Sequence, residues 1–124
     1  MPVVDDLTRI NHIIDASERA LRIAKGRQRF DLDQDDMLGL ALVRLLEIVG
    51  EAAWGVSEGL RSRYPEIPWS DMTGMRNRLI HGYFEVNLDI VWDTVTVELP
   101  PLIPQLRKVL DKEVKHGHSR SDSQ

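Results

Sequence analysis

The sequence contains no cysteine, so disulfide bonds and thiolate metal sites are excluded and a reducing compartment is favoured. It also has no apolar run close to the roughly 20 residues that a membrane helix needs. The first residues, Met1 to Asp6, lack the basic region and apolar core of a signal peptide. We therefore expect a cytoplasmic protein that makes no use of a membrane.

The chain is also poor in metal-ligating clusters and in net positive charge. The acidic run 31–36 superficially resembles a calcium loop, but it lacks the glycine at position six and has Leu42 where position twelve needs glutamate. We expect no metal and no cofactor. The formal net charge is −4, which is unusual for a protein that binds nucleic acid over a broad surface. Any such binding would need a local basic site or a partner.

Helical periodicity dominates the 124 residues. Apolar residues recur at steps of three and four in a first helix over about 5–25, which Gly26 ends, and in a second from about Asp33 to Val56. Ser70 is suited to cap a third helix over 71–83, and Asn87 a fourth, with helical spacing continuing to Leu110. The sequence therefore predicts an all-α, four- to five-helix up-and-down bundle over residues 1–113. Residues 114–124 are predicted to be a flexible polar tail.

The predicted third helix places polar residues opposite its core face. At about 100° per residue, Met72, Met75 and Leu79 share one face. The remaining faces carry four chemically distinctive residues: Arg76, Asn77, His81 and Tyr83. On an ideal helix Arg76 and His81 point in different directions. The long arginine side chain or a frayed helix end could bring them together, but a two-fold dimer that sets two such helices face to face does so more easily.

An arginine and a histidine are sufficient for one reaction in particular. RNA carries its own nucleophile, the 2′-hydroxyl, and its cleavage needs a general acid or base with a pKa near neutrality, which histidine provides. Arginine stabilises the negative charge that builds on the phosphate. No metal is needed for this chemistry.

The segment 76–83 resembles the R-x4-H-x-Y motif of the HEPN-domain toxins, specifically the HepT-like family. The resemblance extends in the same order through Gly50-Glu51-Ala52, Ile67-Pro68-Trp69, Asp89-Ile90-Val91-Trp92 and Leu99-Pro100. It covers most of residues 35–110. An isolated R-x4-H would say little, whereas this ordered set is specific.

The resemblance implies a homodimeric helical bundle in which two motif copies line a shared cleft and cleave RNA, with transfer RNA as the candidate substrate. It implies that Arg76 and His81 are catalytic and that Asn77 supports them. It also implies a partner, a minimal nucleotidyltransferase antitoxin that adenylylates Tyr83. A bulky anionic group beside Arg76 would pair with that arginine and obstruct the cleft.

Other interpretations remain open at this stage. The chain could be a non-catalytic helical module that binds nucleotides or a partner, although such modules typically lack the intact arginine and histidine, or a purely structural dimer. Tyr83 could be a packing residue, and Arg78 is better explained as a surface or dimer-contact charge. Glu51 could pair with a motif arginine or be solvated. The three tryptophans are expected in the core or at an interface.

Overall fold

The structure, a computed structural model, describes residues 5–81 and 85–122, with side chains described for all of these except 80, 81 and 116–122. The elements in chain order are α1 (Asp6–Ala24), α2 (Asp31–Gln34), α3 (Asp36–Gly55), α4 (Glu58–Arg63), α5 (Trp69–Thr73), α6 (Met75–Leu79), β1 (Ile80–His81), β2 (Glu85–Val86), α7 (Leu88–Asp93), a π-helical turn (Thr94–Glu98) and α8 (Leu99–Asp122). This all-α architecture confirms the predicted fold class. None of the described helices is long and apolar enough to cross a membrane.

The two long helices α1 and α3 begin at aspartate caps. The Asp5 carboxylate accepts a hydrogen bond from the Thr8 amide at 2.8 Å, which lowers the pKa of Asp5, and Asp35 accepts one from the Leu38 amide at 3.2 Å. Helix α1 has the predicted extent, and Gly26 follows it with a positive φ of 78°. Helix α3 starts later than predicted because residues near Asp33 form the separate short helix α2, which ends at the extended Asp35.

The core lies where α1 packs against α3 and against α8. Ile10 and Ile13 of α1, Leu42 and Leu46 of α3, and Leu106 of α8 are all completely buried. Each such side chain stabilises the fold by about 1.5–3 kcal/mol through burial. The three helices form the frame against which the shorter elements pack.

Two polar clamps join the ends of this frame. The Asp6 carboxylate accepts hydrogen bonds from the amide and hydroxyl of Ser57 at 2.8 and 2.6 Å, which fixes the start of α1 to the end of α3. At the far side of α4, both Arg63 and the Tyr64 hydroxyl bond Glu113 of α8. Helix α4, which periodicity did not predict, is thus held at both of its ends.

The predicted third helix is wrong as a continuous element, because the chain forms α5 and α6 with a break at Gly74. Helix α5 begins at Trp69, so Ser70 lies inside its first turn and does not cap it. The Gly74 amide donates to the Ser70 carbonyl at 3.0 Å and ends α5. Glycine is a weak helix former, and this break is the place where the chain crosses close to α3.

The helix also ends earlier than predicted, at Leu79. Residues 80–81 form β1, which pairs antiparallel with β2 so that Ile80 faces Val86 and His81 faces Glu85. The Asn87 amide donates to the Leu79 carbonyl at 2.7 Å. These bonds satisfy backbone groups that a longer helix would have used, and the β-branched Ile80 favours the extended form.

Toward the C-terminus, Asn87 caps α7 as predicted, its side chain accepting from the Ile90 amide at 3.1 Å. A π-helical turn interrupts the regular α-helix just before the prolines, and α8 then starts at Leu99 with Pro100 and Pro101 in its first turn. Proline is tolerated there because first-turn amides have no helical acceptor. The backbone of α8 is helical through Asp122. The division of the chain at residue 113 into bundle and flexible tail stays a prediction.

Candidate active-site groove

An open groove of about 410 Å³ runs between the second half of α3 and the α5–α6 segment. Its lining consists of Glu47, Gly50, Glu51, Trp54, Thr73, Arg76 and Asn77. Two of the four residues singled out from the sequence, Arg76 and Asn77, are thus brought together on one wall. The core face predicted for this segment is confirmed, since Met72, Met75 and Leu79 are at most 2% exposed.

The two arginines of α6 are in opposite situations. Arg78 makes two parallel hydrogen bonds to the Glu98 carboxylate, at 3.2 and 3.0 Å, and these raise the pKa of Arg78 above its usual range. Arg76 is exposed, and no carboxylate among the described residues lies within ion-pair distance of its guanidinium. Arg78 therefore holds α6 to the π-helical turn, whereas Arg76 keeps its donors available to an anion in the groove.

Gly50 sets how closely the motif segment approaches α3. A Cβ atom at this position would lie 3.0 Å from the Met72 carbonyl oxygen and 3.3 Å from the Met75 Cβ. Both neighbours belong to well-buried residues that flank the Gly74 break. The absence of a side chain at Gly50 lets the α5–α6 backbone rest directly on α3, and Arg76 is positioned by that contact.

The acidic residues on the α3 wall are bound to another arginine of the same helix. Arg44 Nη1 lies 3.3 Å from Glu51 Oε1 and 3.9 Å from Glu47 Oε1. Glu51 is therefore paired, but with Arg44 and not with a motif arginine. The negative charge on this wall is partly compensated, which reduces its repulsion of an anionic substrate in the groove.

For the other two predicted site residues, His81 and Tyr83, the structure describes only the backbone of His81. The backbone of His81 lies in β1, two residues after the end of α6, and so leaves the axis of the helix that carries Arg76. The prediction that Arg76 and His81 point in different directions assumed one continuous helix over 71–83. It does not apply to a helix that ends at Leu79. Tyr83 lies outside the described residues.

The described groove suits the binding of a phosphodiester. One wall offers the Arg76 guanidinium, which has no ion-pair partner among the described residues, together with an amide side chain and the Thr73 hydroxyl, and the exposed indole of Trp54 lies on the other wall. Among the side chains that the structure describes, no group of three or more His, Asp or Glu residues could hold a metal ion. The cationic group among the described residues that line this groove is the Arg76 guanidinium.

Comparison with known proteins decides the class. Residues 13–109 match the family model described as "Ribonuclease HepT-like". The chain belongs to the HepT-like ribonuclease family. Its activity is accordingly that of a ribonuclease, as the resemblance of segment 76–83 implied.

Several known proteins are similar to this chain. A candidate RNase of Caldanaerobacter subterraneus subsp. tengcongensis is 38% identical over 104 residues, covering 84% of this chain and 93% of that one. A candidate RNase of Methanocaldococcus jannaschii is 31% identical over 96% of this chain and 99% of its own length. A candidate ribonuclease HepT of Thermococcus cleftensis is 39% identical over 60% of this chain and 68% of its own. No solved structure matches the chain.

Several residues of this HepT-like groove were not singled out from the sequence. Glu47 and Thr73 belong to no recognised sequence motif. Trp54 was expected only in a core or an interface, yet its side chain is 74% exposed at the rim of the groove. A signal was present in α3, because residues 47, 50, 51 and 54 share one helix flank at steps of three and four. What the sequence could not show is that α5 and α6 lie along that flank.

Proposed function

We propose that this ribonuclease is the toxin of a toxin–antitoxin pair, and that it cleaves RNA without a metal ion at a composite site in a homodimer. Arg76 and His81 are the catalytic residues, and Asn77 supports them in the groove. Transfer RNA is the candidate substrate. The partner is a minimal nucleotidyltransferase antitoxin, which silences the toxin by adenylylating Tyr83, and both proteins act in the cytoplasm.

One observation carries the catalytic assignment. Arg76 lines the groove with its guanidinium unpaired among the described residues, while Arg78, two positions away on the same helix, is fully engaged with Glu98. A structural arginine would be expected to have a carboxylate partner of the kind that Arg78 has. An exposed arginine held over a groove by buried methionines is instead suited to contact a phosphate group.

The proposed reaction needs only these side chains and the RNA itself. The 2′-oxygen attacks the adjacent phosphorus, the bond to the 5′-oxygen breaks, and a cyclic phosphate and a free 5′-hydroxyl result. In this scheme the His81 imidazole either takes the proton from the 2′-hydroxyl while water protonates the leaving 5′-oxygen, or protonates the leaving oxygen while water takes the 2′-hydroxyl proton. Arg76 stabilises the added charge on the phosphate oxygens, and removing such a contact commonly costs about 10²–10³-fold in rate.

A homodimer is supported by the surface beside the groove. Met37 and Leu40 of α3 are 80% and 70% exposed, and Trp54 of the same helix is 74% exposed. Large apolar side chains that are aligned on one exposed helix face typically mark a contact with another protein. Since Trp54 is at the rim of the groove, a partner that covers this face would also complete the site.

Cleavage of RNA by purified protein in excess chelator tests the proposal. We expect wild type to cut, Arg76→Ala and His81→Ala to lose at least about 100-fold in rate, and the matched control Arg78→Ala to keep its activity at a temperature where it is folded. Activity that survives in both motif variants would refute the site. Cleavage that requires added metal would refute the metal-independent reaction.

The antitoxin proposal has its own measurement. Incubating the protein with ATP and a nucleotidyltransferase antitoxin should add one AMP to Tyr83, as seen by mass spectrometry of the peptide, and should abolish cleavage. Tyr83→Phe should stay active and unmodified. An unmodified wild-type protein that binds RNA or nucleotide but never cleaves it would support the non-catalytic module instead.

A further inference from the structure

The exposed face of α3 has a pattern that is complementary to itself. Six residues follow one another at alternating steps of three and four, the spacing that keeps side chains on one face of a paired helix: Met37, Leu40, Arg44, Glu47, Glu51 and Trp54. We call these six residues the outer stripe. Five of them are exposed and Glu47 is partly exposed. The stripe has apolar residues at its two ends and ionised residues in the middle.

We propose that two copies of this chain pair through the outer stripes of their α3 helices, antiparallel, with the Trp54 side chain of each inserted into an apolar groove of the other. This interface deepens the homodimer of the proposed function and rests on it. The two-fold axis passes between positions 45 and 46. Met37 then faces the partner's Trp54, and Arg44 faces the partner's Glu47.

Charge complementarity selects this register. In an antiparallel pair centred between residues 45 and 46, each Arg44 comes beside the partner's Glu47, so two opposite-charge contacts form across the axis. Leu40 lies against the partner's Glu51, whose aliphatic stem can cover it. A parallel arrangement would put Arg44 beside the partner's Arg44, and like charges in contact would oppose it.

The groove that would receive the indole is present on the same flank of α3. An open apolar groove of about 280 Å³ is lined by Leu32, Asp36, Gly39, Leu40, Val43, Val86 and Leu88. Gly39 forms part of its floor, with only Leu88 near the place of a Cβ, at 3.8 Å. The groove therefore offers aliphatic walls and a depression beside the first half of α3, where the outer stripe has its apolar residues.

Helix geometry aligns the indole with this groove. A helical side chain leans toward the N-terminus of its own helix, so Trp54 covers the level of about residue 51. In the proposed register that level faces position 40 of the partner, which is the middle of the apolar groove. Burying most of a tryptophan that is now 74% exposed would make it the main energetic anchor of the interface.

The same arrangement brings the two candidate active sites together. A two-fold axis in the plane of the interface keeps both Arg76 grooves on one flank of the helix pair. Along the axis of the helix pair, the two Arg76 grooves are separated by about ten residues, or about 15 Å at the rise of an α-helix. The partner's Arg44, next to Glu47, adds positive charge to the one wall of the groove that is acidic. One RNA strand could then contact both grooves.

Charge reversal with mixing tests the register directly. Arg44→Glu alone and Glu47→Arg alone each place like charges across the axis, so each variant should be monomeric at concentrations where wild type is a dimer. Mixing the two variants pairs Glu with Arg at both positions and should restore a heterodimer, detectable by native mass spectrometry. Effects within one chain cannot be rescued by mixing. Homodimers of both single variants, or a mixture that stays monomeric, would overturn the register.

Because the chain has no cysteine, cross-linking provides a second, independent measurement. Leu40→Cys mixed with Glu51→Cys, which face each other in this register and leave Trp54 in place, should form a disulfide between chains under mild oxidation. Leu40→Cys mixed with the control Asp15→Cys, an exposed position on α1, should not. Equal yields from the two mixtures would overturn the proposed pairing.

Further variants distinguish this interface from other roles of the same residues. Trp54→Ala should weaken the dimer about tenfold or more, whereas Val97→Ala, at an apolar side chain that is 64% exposed, should not change it. An unchanged dimer with weaker RNA binding in Trp54→Ala would mean that the indole stacks on bases, and would overturn the proposal. A wild-type dimer that cleaves RNA but lacks these contacts would overturn only the interface, whereas absence of cleavage by an intact dimer would overturn only the proposed function.

Discussion

Replacing Gly50 by alanine tests whether the close approach of α5–α6 to α3 holds the motif in place. The added Cβ would sit 3.0 Å from the Met72 carbonyl oxygen, a backbone atom, and 3.3 Å from the Met75 Cβ. Neither can rotate away as the end of a flexible side chain could. The segment carrying Arg76 must therefore move outward by a few tenths of an ångström.

Two effects of opposite sign set the change in stability. Inserting a methyl group into a tightly packed contact costs about 1–3 kcal/mol. Alanine is favoured over glycine in a helix interior by about 0.8–1 kcal/mol. We expect a net loss of up to about 2 kcal/mol in the free energy of unfolding. Because the displaced segment carries Arg76, the rate of RNA cleavage should also fall, by about tenfold.

Urea unfolding of Gly50→Ala and of the control Gly59→Ala provides the assay. A Cβ at Gly59 would have no neighbour closer than 3.9 Å, so only the gain in helix propensity should be seen there, up to about 1 kcal/mol. Cleavage is then compared below the unfolding transition of both variants. Equal stabilisation by the two substitutions, with cleavage at the wild-type rate, would show that contact with Gly50 does not position the motif.

Two further measurements concern ionised contacts away from the groove. Burial, with a hydrogen bond to Glu113, raises the pKa of Tyr64 to about 12, so folding favours its neutral form. The contribution of Tyr64 to the free energy of unfolding is complete below a pH of about 10 and is lost as the pH rises toward 12, by about 2–3 kcal/mol. Tyr64→Phe should lack this loss of stability between pH 10 and 12. The same pH dependence of unfolding in the variant and in wild type would contradict the raised pKa of Tyr64. A double-mutant cycle of Arg78→Ala with Glu98→Ala should give a coupling free energy of unfolding of at most about 1 kcal/mol, which decreases in high salt because both side chains are about one-third exposed or more. A larger coupling free energy that does not depend on salt would contradict a partly solvated ion pair.

The sequence predicted the parts of the fold that depend on local periodicity. Helix α1, its end at Gly26 and the Asn87 cap all follow from neighbouring residues, and the structure confirms them. Helix α4 was missed because six residues hold too few apolar positions for a periodic signal, although Ser57 is a recognisable cap. Short helices of this kind depend on tertiary clamps, here Asp6 on Ser57.

The errors in the motif segment come from contacts that are distant in sequence. A continuous helix over 71–83 satisfies local propensity well enough that Gly74 alone did not exclude it. The break is stabilised by packing on Gly50, more than twenty residues earlier, and the exit at Ile80 by pairing with Val86. Neither partner can be identified from spacing within the helix.

This difference changes the argument for a composite active site. The sequence favoured a dimer because Arg76 and His81 diverge on an ideal helix, and that argument no longer applies when the chain leaves the helix at Ile80. The support for a dimer now comes from α3, where the outer stripe is exposed, apolar at its ends and self-complementary in charge. Because Glu47, Glu51 and Trp54 belong both to this stripe and to the Arg76 groove, dimerisation would change the shape and charge of the groove itself. Cleavage by this ribonuclease should therefore depend on protein concentration in parallel with the dimer, and charge-reversed variants that are inactive alone should regain activity on mixing.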